Sequence, residues 1–382
     1  MLTGKNIIVG PAHPSVGGIA DLTESLCRAC NKEGVQSKII SYSLQYPHRI
    51  FSSGHQNVGK HKPTDITIEP LINSVNPITW FKTANRIKKE KPDYIILRYW
   101  VPLQAPCLGI IARLVKKNTN IKVIAIADDI IPHSKGIGDY TLIKYFLRSC
   151  DAFVVMSEYV MNELKAFLPD ANVIVLSHPV YDHFGDKITR EESLNRLNLP
   201  SEIRYILFFG FIKKYKGLDL LIEAMANSRV KDLKIKLIIA GQGYSDIDFY
   251  KELIKKKDLH NNIILRPGFV PQDDVRNYFC AADMVVQPYR NVSQSGISKI
   301  AYHFGKPMLV TNVGGLSEAV GHLKEGYVVN PDSVAISDAI VDFYENSREA
   351  EFNPNVIAGK ELFSWKIFVN GVADLYKKIT TK

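Results

Sequence analysis

MVVQPYRNVSQSGISKIAYHFGKPMLVTNVGGLSE, residues 284–318, decides how the rest of the chain is read. Residues 284–286 are a short apolar run with the character of a buried strand. A polar loop, 289–296, follows. Ile297, Ile300, Ala301 and Phe304 then recur at helical spacing, so a helix starts at Ser295 or Gly296. Gly305-Lys306-Pro307 ends that helix, and residues 308–311 form a second strand running into Gly314-Gly315. Glu318 falls where the next helix is expected to begin. Two strand ends and two helix starts therefore meet on one rim, where loops of small and hydroxyl residues leave backbone N–H groups pointing outward. A helix N-terminus adds partial positive charge, so the rim suits a phosphate or diphosphate. Taken alone, the same pattern also describes an ordinary αβ unit with polar loops.

Outward from this stretch, strands and helices alternate along the whole chain. Apolar runs at 5–10, 35–42, 93–98, 122–127, 152–156 and 172–176 read as strands, with helical spacing between them at 19–32, 79–91, 107–117, 142–149 and 158–167. Residues 186–200 are polar with charges of both signs, and the alternation restarts at 205–209. This reading predicts an α/β chain of two Rossmann-like, doubly wound parallel-sheet domains. Its expected limits are 1–185, a linker at 186–200, a second domain at 201–360, and a C-terminal helix, 361–382, packing back toward the first domain.

The 382 residues suit two to three domains, and 46% hydrophobic content is ample for their cores. No apolar run approaches the length that crosses a bilayer. The amino terminus reads as a first strand, not a signal peptide. Five scattered cysteines favour a reduced, cytoplasmic setting. Cys27 and Cys30 form a lone CxxC on a helix and are read as core. A net charge of +9 and a pI near 9.1 admit nucleic acid, an anionic leaflet or a phosphorylated substrate as partner. No zinc-finger, helix-turn-helix or RNP sequence supports nucleic acid. Trp80, Phe81, Lys82, Arg86, Lys88, Lys89 and Lys91 share one helix, read either as a solvated amphipathic helix packed on its own domain or as a patch for an anionic membrane face.

FFGFIKKYKGLD, residues 208–219, places cations at the carboxyl end of a strand, where sheets of this kind bind phosphates. A solvated basic turn is the alternative. Gly241-Gln242-Gly243 and the segment 267–275, PGFVPQDDV, are turns by themselves. Gly17-Gly18 opens the helix after the first strand. Asp128-Asp129 ends the run KVIAIA, either as a proton-accepting carboxylate or as a helix cap.

Together these motifs resemble those of glycosyltransferase family 4, the retaining transferases of GT-B architecture, over most of the chain. The resemblance implies a cleft between the two domains, with a nucleotide diphosphate sugar held by the second. Lys216-Gly217 matches the family's Lys-Gly. The usual arginine position holds Phe211, so Lys213 is expected to take over that charge. Lys213 and Lys216 would neutralise the leaving diphosphate, with no metal and no cofactor expected. Gly17, Gly18, Gly210 and Gly241 are expected to line the donor site, and main chain near Val270 to meet the base. The family's Glu-x7-Glu pair is absent, with Val292 and Ile300 in its places. Gln294, Ser295 and Gly296 are expected to serve instead, and Glu318 to contact ribose or sugar. Asp128 takes the place of the first histidine of a family segment, His-Asn-x-x-Pro-His-Glu, and His133 matches the second. They are expected to act on the acceptor, as is His178 of Ser177-His178-Pro179, which reads equally as a packed histidine.

The expectation is a hexosyltransferase, cytoplasmic or peripheral on the inner membrane leaflet, acting on a glycan or lipid-linked saccharide. Two alternatives stay open: a nucleotide-sugar epimerase or hydrolase on the same fold, and a sugar-nucleotide-binding scaffold without catalysis. A dehydrogenase is the weaker rival, because the first strand leads into GPAHPSVGG and not GxGxxG.

Overall fold

Near-continuous runs of Val, Ile and Leu are what a parallel strand needs when helices cover both faces of its sheet, and such runs form every central strand here. The computed structural model of the chain describes residues 4–15, 17–46, 62–132, 136–180, 184–243 and 247–381. It divides into two units, one of Met1–Ser177 with Trp365–Lys382 and one of His178–Ser364.

The first unit carries strands β1 (Gly4–Val9), β2 (Val35–Leu44), β3 (Ile68–Asn73), β4 (Tyr94–Tyr99), β5 (Lys122–Ala127), β6 (Ala152–Val155) and β7 (Val173–Val175). All pair in parallel, in the order β3-β2-β1-β4-β5-β6-β7. Its helices are α1 (Gly18–Lys32), α2 (Pro77–Glu90), α3 (Ala105–Lys116), α4 (Asp139–Leu147) and α5 (Glu158–Phe167). Strand side chains alternate between two cores. Leu97 and Val123 pack with Ile111 of α3, and Ile96 and Ile124 with Leu26 of α1.

The second unit carries helices α6 (Arg190–Arg196), α7 (Leu218–Met225), α8 (Ser228–Asp232), α9 (Ile247–Lys256), α10 (Val275–Ala281), α11 (Gly296–Phe304), α12 (Ser333–Glu345) and α13 (Glu349–Gly359). Its strands are β8 (Tyr205–Phe209), β9 (Lys236–Gly241), β10 (Ile263–Pro267), β11 (Met284–Gln287), β12 (Met308–Thr311) and β13 (Gly326–Val329), in the order β10-β9-β8-β11-β12-β13. Counted within the unit this order is 3-2-1-4-5-6, that of the dinucleotide-binding sheet. The strand order reverses between β8 and β11, and ligands of such sheets bind outside the carboxyl ends at that point.

The last helix, α14 (Trp365–Thr380), belongs to the first unit. Phe368, Val369, Val372 and Leu375 join the core on the α1 side, and Gly371 admits Leu176 where a Cβ would stand 2.5 Å from Cδ2.

Several expectations from the sequence are corrected. Residues 186–200 do not form a polar linker: Thr189 caps α6 through Glu192 N, and Leu194 and Leu197 are buried in the second unit's core, which begins at His178. Strand β3 was not expected, because Pro70 interrupts it, and an edge strand with irregular register tolerates that proline. Helices α8 and α13 were likewise unread. Glu318 starts no α-helix. It lies in a 3-10 turn, Ser317–Ala319, after which the chain extends toward β13.

Candidate functional site

At the reversal point of the second sheet, glycines let four loops touch backbone to backbone. Gly241, at the end of β9, has φ 141° and presses on the Gly210 carbonyl after β8. Gly217 (φ 63°) lies against the Pro288 carbonyl after β11, and Gly314 (φ 51°) against the Val292 carbonyl. A Cβ at any of the three would collide with a carbonyl oxygen, and these φ values also disfavour other residues. The loops are thereby held as one rim.

Lys216 is the principal charge on this rim. It ends the 3-10 turn Lys214–Lys216 and is only 8% exposed. Among the described residues its ammonium has no carboxylate partner and makes no hydrogen bond; it sits 4.9 Å from the centroid of the Tyr289 ring. A Cβ on Gly210 would stand 3.2 Å from Lys216 Nζ and 3.5 Å from Ile297 Cδ1 in the first turn of α11. The ammonium therefore lies beside the start of that helix. Ser295, its N-cap, makes no side-chain cap bond, and Gly296 opens the helix, so the first N–H groups keep their capacity for an acceptor. Lys213 is exposed and lies 5.9 Å from the Phe211 ring.

Two further contacts fix this geometry, and sequence reasoning missed both. Arg290 donates Nη1 to Asp219 Oδ1 at 2.7 Å and Nη2 to Oδ2 at 2.6 Å. Burial opposes ionisation of Asp219, but the Arg290 hydrogen bonds and charge outweigh it and hold the carboxyl below its usual range. Behind α11, Gln287 and Ser298 exchange hydrogen bonds in the core.

The remaining donor-side residues are more dispersed. Val270 lines a cavity of about 310 Å³ with Arg196, Arg266, Phe269, Asn277 and Tyr278. Gln294 is half-buried and Glu318 exposed. Val292 and Ile300, in the places of the absent carboxylates, are 7% and 5% exposed and belong to the core.

In the first unit, Asp128 follows β5 and is 7% exposed. Both its oxygens accept from Nη2 of Arg98, at 2.8 and 2.7 Å. Arg98 is the penultimate residue of β4, is fully buried, and among the described residues leaves Nε and Nη1 without partners. Its stem fits only because Gly10 has no side chain: a Cβ there would stand 2.6 Å from Arg98 Cγ. Thus β1, β4 and β5 end in a buried charge pair that sequence reasoning had only half identified. An arginine closing one buried strand beside an aspartate closing another was the available signal. Gly17 (φ 122°) and Gly18 open α1, with free space around Gly17. His178 is buried, its Nδ1 2.7 Å from the Pro179 carbonyl, and belongs to the second unit. His133 lies outside the described residues.

Burial raises Cys27 to about 11 and Cys30 to about 12, so neither is a thiolate at neutral pH. Among the described residues no cluster of His, Cys, Asp or Glu could hold a metal ion, and no helix is long and apolar enough to cross a membrane.

Residues 16–183 match the family described as Glycosyltransferase Family 4, and residues 189–357 match Glycosyl transferases group 1. The chain belongs to the family 4 glycosyltransferases. It is 23% identical over 385 residues to an uncharacterized glycosyltransferase of Methanocaldococcus jannaschii, covering 100% of both chains. It is 25% identical over 271 residues to a D-inositol 3-phosphate glycosyltransferase of Streptomyces scabiei, covering 67% of this chain and 60% of that one. Among solved structures, HepE of Anabaena in complex with UDP superposes with a TM-score of 0.75 at 15% identity, covering 98% of this chain and 100% of that one. Sucrose-phosphate synthase of Thermosynechococcus elongatus does so with 0.73 at 16%, covering 99% of each. At such identities the structural likeness speaks for the fold, and the glycosyltransferase has the two Rossmann-like domains of the GT-B type.

Proposed function

We propose that this glycosyltransferase moves a hexosyl group from a nucleotide diphosphate sugar to a glycan or lipid-linked saccharide, with retention of anomeric configuration. The observation that carries the donor class is Lys216, a buried lysine with no carboxylate partner among the described residues, next to the first turn of α11, which has no side-chain cap. A diphosphate fits both features at once. The lysine neutralises charge that grows on the leaving oxygen, and the helix N–H groups bind its neighbours. Lys213 adds an exposed second cation. That two lysines can stabilise the leaving group electrostatically supports a metal-independent reaction. HepE, a structural neighbour, has also been crystallised with UDP-glucose, which supports a nucleotide sugar as the donor.

The base would meet the Val270 cavity, and Gln294 and Glu318 the ribose or sugar. In the first unit Asp128, held by Arg98, is the acceptor-side carboxylate. It would accept a hydrogen bond from the acceptor hydroxyl and orient it, together with His133. On α2, Ile78 and Phe81 are exposed next to Lys82, whereas Trp80 is buried and donates Nε1 to the Asn73 carbonyl at 2.7 Å. Peripheral binding to an anionic leaflet through that exposed pair is part of the proposal. Retention rests on family membership alone.

Core burial of Val292 and Ile300 favours a second reading, a sugar-nucleotide-binding protein without turnover. A thermal-shift panel of UDP, GDP, ADP and their sugars, with and without magnesium, tests the donor site. One nucleotide at about 100 times its Kd should stabilise the protein by about 2.7 kcal/mol without magnesium, and not in Lys216→Ala. No stabilisation by any of them refutes the donor assignment. Release of nucleoside diphosphate from the bound sugar nucleotide separates the transferase from the silent binder.

A further inference from the structure

We infer that Tyr289 and Arg290 are positioning residues that hold the Lys216 ammonium without a carboxylate and aim it at the donor diphosphate. The inference rests on the donor site proposed above and assigns it two residues outside the Lys-Gly and Ser-Gly motifs. The ammonium of a residue that is only 8% exposed needs compensation for its lost hydration, which a carboxylate ordinarily supplies. A carboxylate here would neutralise Lys216 and compete with an incoming anion. The Tyr289 ring, 4.9 Å from Nζ, stabilises the cation through its π face and leaves both the net charge and the N–H donors for the ligand.

The tyrosine is held for its ring. Tyr289 is 1% exposed, its hydroxyl has no hydrogen-bond partner among the described residues, and its backbone is fixed from β12 by Thr311 Oγ1 donating to its carbonyl at 2.6 Å. The next residue fastens the turn that bears the lysine. Arg290 N donates to the Tyr215 carbonyl at 2.7 Å, its Nη1 reaches the Lys214 carbonyl at 3.4 Å, and its guanidinium grips Asp219 in the first turn of α7 through two bonds. Gly217 seats the same turn on the Pro288 carbonyl. One dipeptide therefore sets the lysine from two sides, through a ring beneath its ammonium and a clamp on its backbone.

Calorimetric titration of the full chain without metal tests this, with inorganic pyrophosphate as a probe lacking base and ribose, and UDP as a second probe. Lys216→Ala should abolish pyrophosphate binding. Tyr289→Leu should weaken it roughly 3- to 10-fold, the worth of one cation–π contact. Tyr289→Phe, which keeps the ring, should restore it to within about twofold of the native value. Arg290→Ala should weaken binding by a similar factor at an unchanged melting temperature. Arg290→Lys should not restore it, because an ammonium cannot make the paired bonds to Asp219. Native affinity in both Tyr289→Leu and Arg290→Ala, with Lys216→Ala silent, overturns the inference and leaves the donor site standing. Native affinity in Lys216→Ala overturns the donor site itself. If Tyr289→Leu does not fold, the two Arg290 variants decide.

Discussion

Lys299 offers the sharpest test of how charge is handled in the second unit. It sits on the inner side of α11, 5% exposed, with Nζ 3.3 Å from the Phe363 ring centroid and 5.3 Å from that of Tyr302. Burial lowers its amine from 10.5 to about 7. A displacement of that size corresponds to about 5 kcal/mol of unfavourable charging in the folded unit. Lys299→Met keeps the length of the side chain and removes the charge, and should therefore stabilise the unit by up to about 5 kcal/mol at pH 6. The sign with pH follows from proton linkage. Between about 7 and 10.5 the unfolded chain holds a proton on Lys299 that the folded chain has released, so native stability rises with pH across that window. The advantage of Lys299→Met must then shrink by up to about 1.4 kcal/mol per pH unit above 7. Urea unfolding at pH 6, 7, 8 and 9, with hydrogen exchange of peptides covering α11 to isolate the second unit, reads both effects. A destabilised variant, or an advantage that does not change with pH, refutes the reasoning.

Two other substitutions test the fold around the candidate residues. Arg98→Met should cost about 3–5 kcal/mol, because it removes the buried guanidinium from which both Asp128 oxygens accept, and Arg98→Met with Asp128→Leu should recover much of that. Additive losses in thermal or urea melts would remove the pair from the argument. Leu194→Ala should cost about 2–5 kcal/mol and lower protection of β8–β13 amides, because α6 belongs to the second unit's core. An effect below about 0.5 kcal/mol, as for a surface linker, would contradict that placement.

The sequence was most legible where one physical rule acts alone. Buried parallel strands need continuous apolar runs, so β5 and β8 were readable to the residue and most other strands to within a residue or two. Helix periodicity likewise located α5, α11 and α14. It failed where local pattern and tertiary context disagree. Pro70 hid an edge strand. The charges of 190–196 concealed α6, which buries only one narrow face around Ser193 and Leu194. The turn at Glu318 carried a helix-start composition, but only a 3-10 turn forms between Leu316 and the extended Val320.

What the sequence determined by itself was the pair of doubly wound sheets, the family, and the candidate positions of Lys216, Gly217 and the Ser295-Gly296 helix start. The sheets follow from period and turn chemistry, and the family and those positions from the resemblance of the motifs to family 4; all are read from neighbours along the chain. Tertiary structure decided what surrounds each charge. Lys216 has an aromatic ring in place of a carboxylate, Asp128 is gripped by a fully buried arginine 30 residues away, and Arg290 clamps an aspartate 71 residues earlier. The electrostatics of a charged group depend on whatever lies within a few ångströms of it, and the fold, not the order of residues, sets those distances.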